Sequence, residues 1–279
     1  MAESVGRVRA WYHGLDPRAQ AVLAAVGLGL AGVVVAAAVV NLVFLAVVLA
    51  GFSVSPLAQV ALSLVFVQGI SFGGLASIYL LRRGRSPLSL FSIPSLRDLA
   101  ITVAGFVGSF VLLFGVGSIL LAVGAEGAPN QTAELGAENP EVLLLLIPAA
   151  FVFIGPGEEI LFRGVVQNRL REAFPARVAI PIASAIFGAV HYVALSGAPA
   201  ARLVTVGSLT VITLVFGVTY EYTDNLVVPS LLHGAYDAVL FGLLYVVVAY
   251  GPGVDAEGGG GGTGTTGALV DVAIALPLG

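Results

Sequence analysis

Long apolar segments separated by short polar ones dominate the chain. They run over residues 21–52, 57–81, 100–123, 141–172, 178–195, 203–220 and 226–250. Most of these segments approach or exceed the roughly 20 apolar residues that an α-helix needs to cross a bilayer. Transmembrane β-strands would instead alternate in polarity over about ten residues. The pattern predicts an all-α, polytopic transmembrane helix bundle of about seven spans. The range is six to eight, since the first segment is long enough to break near Asn41.

The same pattern divides the chain into four parts. Residues 1–20 form a polar N-terminal segment, and residues 21–140 hold three spans with an interfacial connector over 86–99. Residues 141–250 hold the other four spans, and the Gly-rich residues 251–279 are expected to form a flexible tail. Residues 124–140 are polar and acidic. We expect them to form a loop between the third and fourth spans.

Composition and charge agree with a membrane protein. The chain is 58% hydrophobic and only 10% charged, whereas a soluble globular chain is about a quarter charged. The absence of cysteine excludes disulfides, thiolate zinc sites and a cysteine nucleophile. The expected surroundings are therefore a lipid bilayer, and we expect no nucleic acid among the partners.

The arginines predict an orientation in the membrane. There is no lysine, and with a cytoplasmic N-terminus every arginine except Arg202 falls in an inner segment. This agrees with the excess of basic residues in cytoplasmic loops. We expect an integral protein of a prokaryotic plasma membrane. The lysine-free, acidic loops indicate a halophilic organism, although GC-rich codon usage would produce much of the same composition.

Several ionisable side chains lie inside the apolar segments. Charged groups at membrane depth cost a few kcal/mol each or more, so we interpret them as functional. They are Glu158, Glu159 and Arg163 in the fourth segment, His191 in the fifth, and His233 and Asp237 in the seventh. An aromatic residue, Phe187, lies four residues before His191 on the same helical face. The remaining histidine, His13, lies in the polar N-terminal segment and is expected to be solvated.

The spacing of these residues suggests a division of roles. Glu159 and Arg163 are four residues apart, which suits an ion pair on one helical face. Glu158 is turned about 100° from Glu159 and can face a site as general base. Two imidazoles with carboxylates can hold Zn²⁺, or they can position water and stabilise an oxyanion without metal. The metal ligands would then be Glu158 and His191, with His233 and Asp237 as further candidates. Serine nucleophile chemistry is disfavoured, since no Gly-x-Ser-x-Gly motif is present.

Three motifs in this order resemble those of the CPBP family of intramembrane proteases, which includes the CAAX-processing endopeptidase and its bacterial and archaeal relatives. The family's three motifs are Glu-Glu-x-x-x-Arg, Phe-x-x-x-His and His-x-x-x-Asn/Asp. This chain meets them with Glu158, Glu159 and Arg163, then Phe187 and His191, then His233 and Asp237. The resemblance covers roughly residues 141–250, which it marks as a protease core.

The resemblance implies hydrolysis of a peptide bond in a membrane-associated protein or peptide, for which prenylated or lipid-anchored proteins are candidates. Glu158 would activate water with help from His191. His233 and Asp237 would stabilise the tetrahedral oxyanion or complete a metal site. Glu159, Arg163 and Phe187 would be supporting residues.

One residue departs from the pattern of well-studied CAAX-processing members. They have Asn where this chain has Asp237, and an ionised carboxylate cannot donate a hydrogen bond to an oxyanion. This departure favours a metal site over a hydrogen bond from Asp237 to the oxyanion. The alternative function is a non-proteolytic membrane protein that uses the same buried polar cluster for immunity, scaffolding, or proton or ligand relay.

Overall fold

The computed structural model describes the backbone of residues 2–251 and the side chains of residues 6, 7 and 10–251. We number its main helices in chain order. They are α1 (Ala2–His13), α2 (Pro17–Leu49), α3 (Pro56–Arg82), α4 (Leu96–Val123), α5 (Gln131–Glu138), α6 (Pro140–Arg171), α7 (Ala176–His191), α8 (Pro199–Thr223) and α9 (Val227–Tyr250). The predicted tail lies outside the described residues, apart from Gly251.

Seven of these helices are long and apolar enough to cross a membrane, namely α2, α3, α4, α6, α8, α9, and α7 with the 3₁₀ turn Tyr192–Ala194 that continues it. Extended pairing within residues 2–251 consists of one isolated bridge between Asn130 and Leu195. The predicted all-α polytopic bundle of about seven spans is therefore confirmed. The chain is an integral membrane protein.

The structure decides two points in the first half. Helix α2 continues past Asn41, whose Nδ2 donates to the Ala37 carbonyl at 2.7 Å, so the amide is accommodated within the helix. Helix α4 begins inside the predicted connector, because Ser95 and Asp98 form a reciprocal capping box at its start. What remains of the connector includes the 3₁₀ turn Pro87–Leu90.

The predicted loop over residues 124–140 contains a helix instead. Helix α5 has eight residues and is capped by Asn130, whose Oδ1 accepts from the Thr132 backbone N–H at 2.8 Å. It packs on the start of α6, where the Leu143 side chain fills the space beside Gly136. Tertiary contact therefore stabilises a helix that is too short to be stable in isolation.

Helices α3 and α6 are irregular where they carry polar residues. Helix α3 contains the π-helical stretch Leu64–Gly73, and α6 contains two, Ala150–Ile154 and Phe162–Gln167. Glu158 and Glu159 lie in the short α-helical stretch Gly155–Leu161 between those two. Such π stretches re-aim the side chains around them and are frequent at functional sites.

A glycine on α6 and another on α9 bring α3 and α9 close to the part of α6 that carries the glutamates. A Cβ on Gly157 would lie 2.7 Å from the Gln68 carbonyl oxygen of α3, and one on Gly234 of α9 would lie 2.8 Å from the Ala150 carbonyl oxygen. Small residues allow this close approach of helix backbones in membranes. Helix α6 is therefore held between α3 and α9, with the two glutamates at the crossing.

Candidate active site

Glu158 and His191 lie together at the wall of a cavity of about 440 Å³. Residues of α2, α3, α6 and α7 form most of the wall, with the start of α5 at its rim. Glu158 Oε2 is 3.7 Å from His191 Nε2. We call these two residues the cavity pair. Their separation exceeds a hydrogen bond but suits a water molecule that contacts both.

The tautomer of His191 follows from its other ring nitrogen. Nδ1 lies 2.7 Å from the Phe187 carbonyl oxygen, which can only accept, so Nδ1 carries the proton that it donates. In a neutral imidazole, Nε2 is then an acceptor that faces the carboxylate of Glu158. Two acceptors that face each other at 3.7 Å need a shared donor. A proton on one of the two groups meets this requirement, and so does a water molecule beside them that donates to both.

A glutamine from the first half of the chain completes the surroundings of Glu158. Gln68 Nε2 of α3 donates to Glu158 Oε1 at 2.8 Å, and Gln68 also lines the cavity. The sequence analysis missed this residue, because a lone amide in an apolar run forms no spacing motif. The one signal in the sequence is that Gln68 is a polar residue within the apolar segment 57–81.

Behind the cavity pair lies a fully buried row of four side chains, Arg163, Glu159, His233 and Asp237. We call this set the buried row. Arg163 Nε is 3.1 Å from Glu159 Oε2, and Glu159 Oε1 is 3.0 Å from His233 Nδ1. His233 Nε2 is 3.4 Å from Asp237 Oδ2. Each of the four is 0% exposed. Cationic or neutral nitrogen groups thus alternate with carboxylates, as burial of charge requires.

Aromatic rings surround this row. The Arg163 guanidinium carbon is 5.2 Å from the Phe187 ring centroid and 5.9 Å from that of Phe216, so the cation lies against two π faces. The Phe187 centroid is 4.4 Å from that of His191 and 6.0 Å from that of His233. Phe187 is fully buried and therefore supports both imidazoles by packing. Phe216, which no motif indicated, packs on His233 at 4.9 Å.

The structure therefore brings all seven predicted site residues together, as the cavity pair, the buried row, and Phe187, which packs against a histidine of each. Glu158 and His191 reach the cavity, whereas the buried row does not line it. His233 and Asp237 are still near enough to Glu158 to interact with it electrostatically. The spacing argument that separated Glu158 from the Glu159–Arg163 pair agrees with this geometry.

The donor groups do not fit a metal centre. Among the side chains that the structure describes, no three His, Cys, Asp or Glu residues are placed to hold one ion, whereas catalytic zinc needs three protein ligands. Both nitrogens of His233 face carboxylates, so His233 has no nitrogen left for an ion, whereas His191 keeps Nε2 toward Glu158. No catalytic step is therefore assigned to a metal, and the chelation experiment decides between the Zn²⁺-dependent and the metal-independent expectation.

Comparison with known proteins supports the motif analysis. Residues 140–239 match the family model described as type II CAAX prenyl endopeptidase Rce1-like. The chain is 34% identical over 114 residues to the uncharacterized protein YpbD of Bacillus subtilis (strain 168), an alignment that covers 41% of this chain. The chain spans about half the length of this curated relative, 51%. No solved structure matches the chain significantly. The resemblance predicted from the motifs is confirmed for the segment that carries them, and all seven site residues lie within it.

Proposed function

We propose that this chain is a CAAX-type intramembrane endopeptidase, in which Glu158 and His191 activate water. The observation that carries the proposal is the cavity pair itself. Glu158 and His191 come from different helices, and their side chains face each other at 3.7 Å on the cavity wall. Glu158 is otherwise buried, with 3% of its surface exposed. The Rce1-like match of the same segment supports the reaction class.

The reaction follows from the two acceptors. A water molecule donates one O–H to Glu158 Oε2 and the other to His191 Nε2, which aims an oxygen lone pair into the cavity. As that oxygen attacks the scissile carbonyl carbon, Glu158 takes the first proton as general base. The protonated Glu158 then gives the proton to the leaving nitrogen as the C–N bond breaks. The second proton of the water passes from the new carboxyl group through His191 Nε2 to the released amine, so the products are a carboxylate terminus and an ammonium group, and Glu158 is again ionised.

The buried row is proposed to hold Glu158 in place. The Arg163–Glu159 pair fixes the residue next to Glu158 on the same helix, and His233 links that pair to α9. The oxyanion role expected for His233 and Asp237 stays a prediction, because both ring nitrogens of His233 face carboxylates here. Metal-independent water activation is the mechanism that these contacts support.

The cavity favours an apolar part of a membrane-associated protein as substrate. Its walls on α2 and α3 carry Val33, Val40, Val60, Leu64 and Val67. These side chains suit an apolar residue or a lipid chain beside the scissile bond. A prenylated or otherwise lipid-anchored protein is therefore the first substrate class to test.

The cavity also indicates the side of the membrane on which cleavage takes place. Its lining residues Gln59, Gln131 and Ala194 lie near the helix ends opposite to those that carry Arg82 and Arg171. Because basic residues mark the cytoplasmic side, we propose a cytoplasmic N-terminus in a prokaryotic plasma membrane. The cavity would then extend toward the extracytoplasmic side.

The test compares wild type with Glu158→Gln, an isosteric change that removes the base. Both are purified in detergent and offered a library of lipidated and transmembrane peptides. Glu141→Gln is the matched control, since it is the same change on the same helix, outside the cavity. We expect cleavage by wild type and by the control, with loss in Glu158→Gln.

Wild-type rates in Glu158→Gln would contradict the proposal. If wild type cleaves no peptide and Glu158→Gln complements a deletion strain as well as wild type does, the non-proteolytic alternative replaces it. A scaffold or immunity protein would then use the buried row for stability alone.

A further inference from the structure

Gln68 comes from a part of the chain that the family match does not cover. It lies in α3, more than seventy residues before the matched segment 140–239. Its Nε2 nevertheless makes the hydrogen bond to Glu158 Oε1 at 2.8 Å, across a separation of 90 residues. A single amide thus joins the N-terminal half of the chain to the proposed general base.

Two local features place this amide. Gln68 lies in the π-helical stretch Leu64–Gly73, which alters the direction of side chains relative to a regular helix. The facing residue on α6 is Gly157, whose missing side chain lets the Gln68 backbone approach closely. A Cβ there would lie 2.7 Å from the Gln68 carbonyl oxygen and 2.9 Å from its Cβ. The fold is therefore built to bring Gln68 against the Glu158 turn.

The orientation of the amide group is fixed by its partner. Glu158 Oε1 accepts when ionised, so the Gln68 NH₂ group must face it, and the amide oxygen Oε1 faces away. This oxygen is buried, and no donor among the described residues reaches it. A buried acceptor without a partner is destabilising by itself. Gln68 also lines the cavity, so the group that would satisfy this oxygen is sought among molecules that enter there.

A peptide substrate carries donors of the kind that this oxygen lacks. Backbone N–H groups follow one another at about 3.3 Å per residue in an extended chain. A peptide with its scissile carbonyl beside Glu158 Oε2 therefore has an N–H group near the other side of the same carboxylate. Resting on the proposed function, we propose that Gln68 is a positioning and substrate-binding residue. It holds the Glu158 carboxylate through Nε2 and accepts a hydrogen bond from the substrate backbone through Oε1.

The test uses a peptide that wild type cleaves and two ester analogues of it. In each analogue one backbone N–H next to the scissile bond, but not the scissile one, is replaced by an ester oxygen. Gln68→Met keeps the length of the side chain and removes both hydrogen bonds. We expect this variant to lower kcat/KM about 10- to 100-fold. Wild type should cleave one of the analogues about 10-fold more slowly than the peptide.

The diagnostic result is the absence of additivity. Gln68→Met should cleave that analogue no more slowly than it cleaves the parent peptide, because the contact is already lost. A purely structural role for Gln68 would leave the ester penalty unchanged. Gln20→Met is the folding control, since it removes the hydrogen bond from Gln20 Nε2 to the Leu15 carbonyl at 2.9 Å, far from the cavity. It should cleave both substrates as wild type does.

Separate results overturn the inference and the proposed function. If Glu158→Gln is inactive while Gln68→Met cleaves like wild type, the role of Gln68 is wrong and the peptidase stands. If the analogue that wild type cleaves slowly carries the same penalty in Gln68→Met, or if wild type cleaves neither analogue more slowly than the peptide, the inferred contact to the substrate is wrong. If Glu158→Gln cleaves like wild type, the proposed function itself fails.

Discussion

Replacement of Arg163 by methionine tests the buried row most severely. The change removes the cation that lies 3.1 Å from Glu159 Oε2, with both side chains 0% exposed. At that distance two unit charges in a medium of effective dielectric constant 20 attract by about 5 kcal/mol. Removal of one partner of a buried pair is destabilising by about 3–5 kcal/mol, because the other charge stays buried. The loss is a large share of a typical stability of about 5–15 kcal/mol.

The double variant Glu159→Gln/Arg163→Met separates lost pairing from lost packing. It leaves no uncompensated charge, and the glutamine oxygen can still accept from His233. We expect each single variant to lose about 3–5 kcal/mol and the double variant to lose less than the sum, by about 2–3 kcal/mol. Arg85→Met is the control, since Arg85 is exposed and its loss should change stability by less than about 0.5 kcal/mol.

The assay is unfolding in detergent, followed by helical circular dichroism during heating and during titration with sodium dodecyl sulfate. Wild type, the two single variants, the double variant and the control are compared under the same conditions. A loss below about 1 kcal/mol in Arg163→Met, or strict additivity in the double variant, would refute the reasoning. Either result would mean that the pair is hydrated or that the four side chains do not interact as described.

Three further predictions concern the cavity. Gly157→Ala should push α3 away from α6 and reduce cleavage at least 10-fold, since the new Cβ would lie 2.7 Å from the Gln68 carbonyl oxygen. Gly69→Ala is the control and should cleave like wild type, because its new Cβ would meet nothing within 4 Å. The chain has no cysteine, so single cysteines report on its orientation in intact cells. Gln131→Cys, proposed to lie outside, should react with a membrane-impermeant maleimide, and Ser86→Cys, proposed to lie inside, should not. The opposite pattern would reverse the proposed orientation. Chelation should leave cleavage unchanged, because the described donor groups do not converge on one ion; a loss that Zn²⁺ restores would show that a metal takes part.

The hydrophobic pattern predicted the spans because each is an almost uninterrupted apolar run. It failed at α5, where an acidic segment of eight residues is helical through its Asn130 cap and its contact with Leu143. It also placed the start of α4 too late, although Ser95 and Asp98 have the spacing of a capping box in the sequence. Short helices depend on caps and tertiary contacts, which a span-length argument does not weigh.

The site was predicted to the extent that its residues form motifs on single helices. Glu158, His191 and His233 each belong to a short motif with helical spacing, so their convergence was expected. Gln68 has no neighbour in sequence that marks it, and its contact with Glu158 spans 90 residues. Helical spacing separated Glu158 from the Glu159–Arg163 pair, but it did not predict the π-helical stretches that flank the two glutamates in α6.

The central claim is that two adjacent carboxylates have different roles, and one measurement tests it most directly. Cleavage rates and unfolding midpoints of Glu158→Gln and Glu159→Gln are measured side by side on the same peptide. The account predicts that Glu158→Gln keeps most of its stability and loses at least about 10²-fold in rate. Glu159→Gln should lose stability and keep measurable cleavage at temperatures where it stays folded. If Glu158→Gln cleaves at the wild-type rate while folded Glu159→Gln is inactive, the assignment of the general base is contradicted.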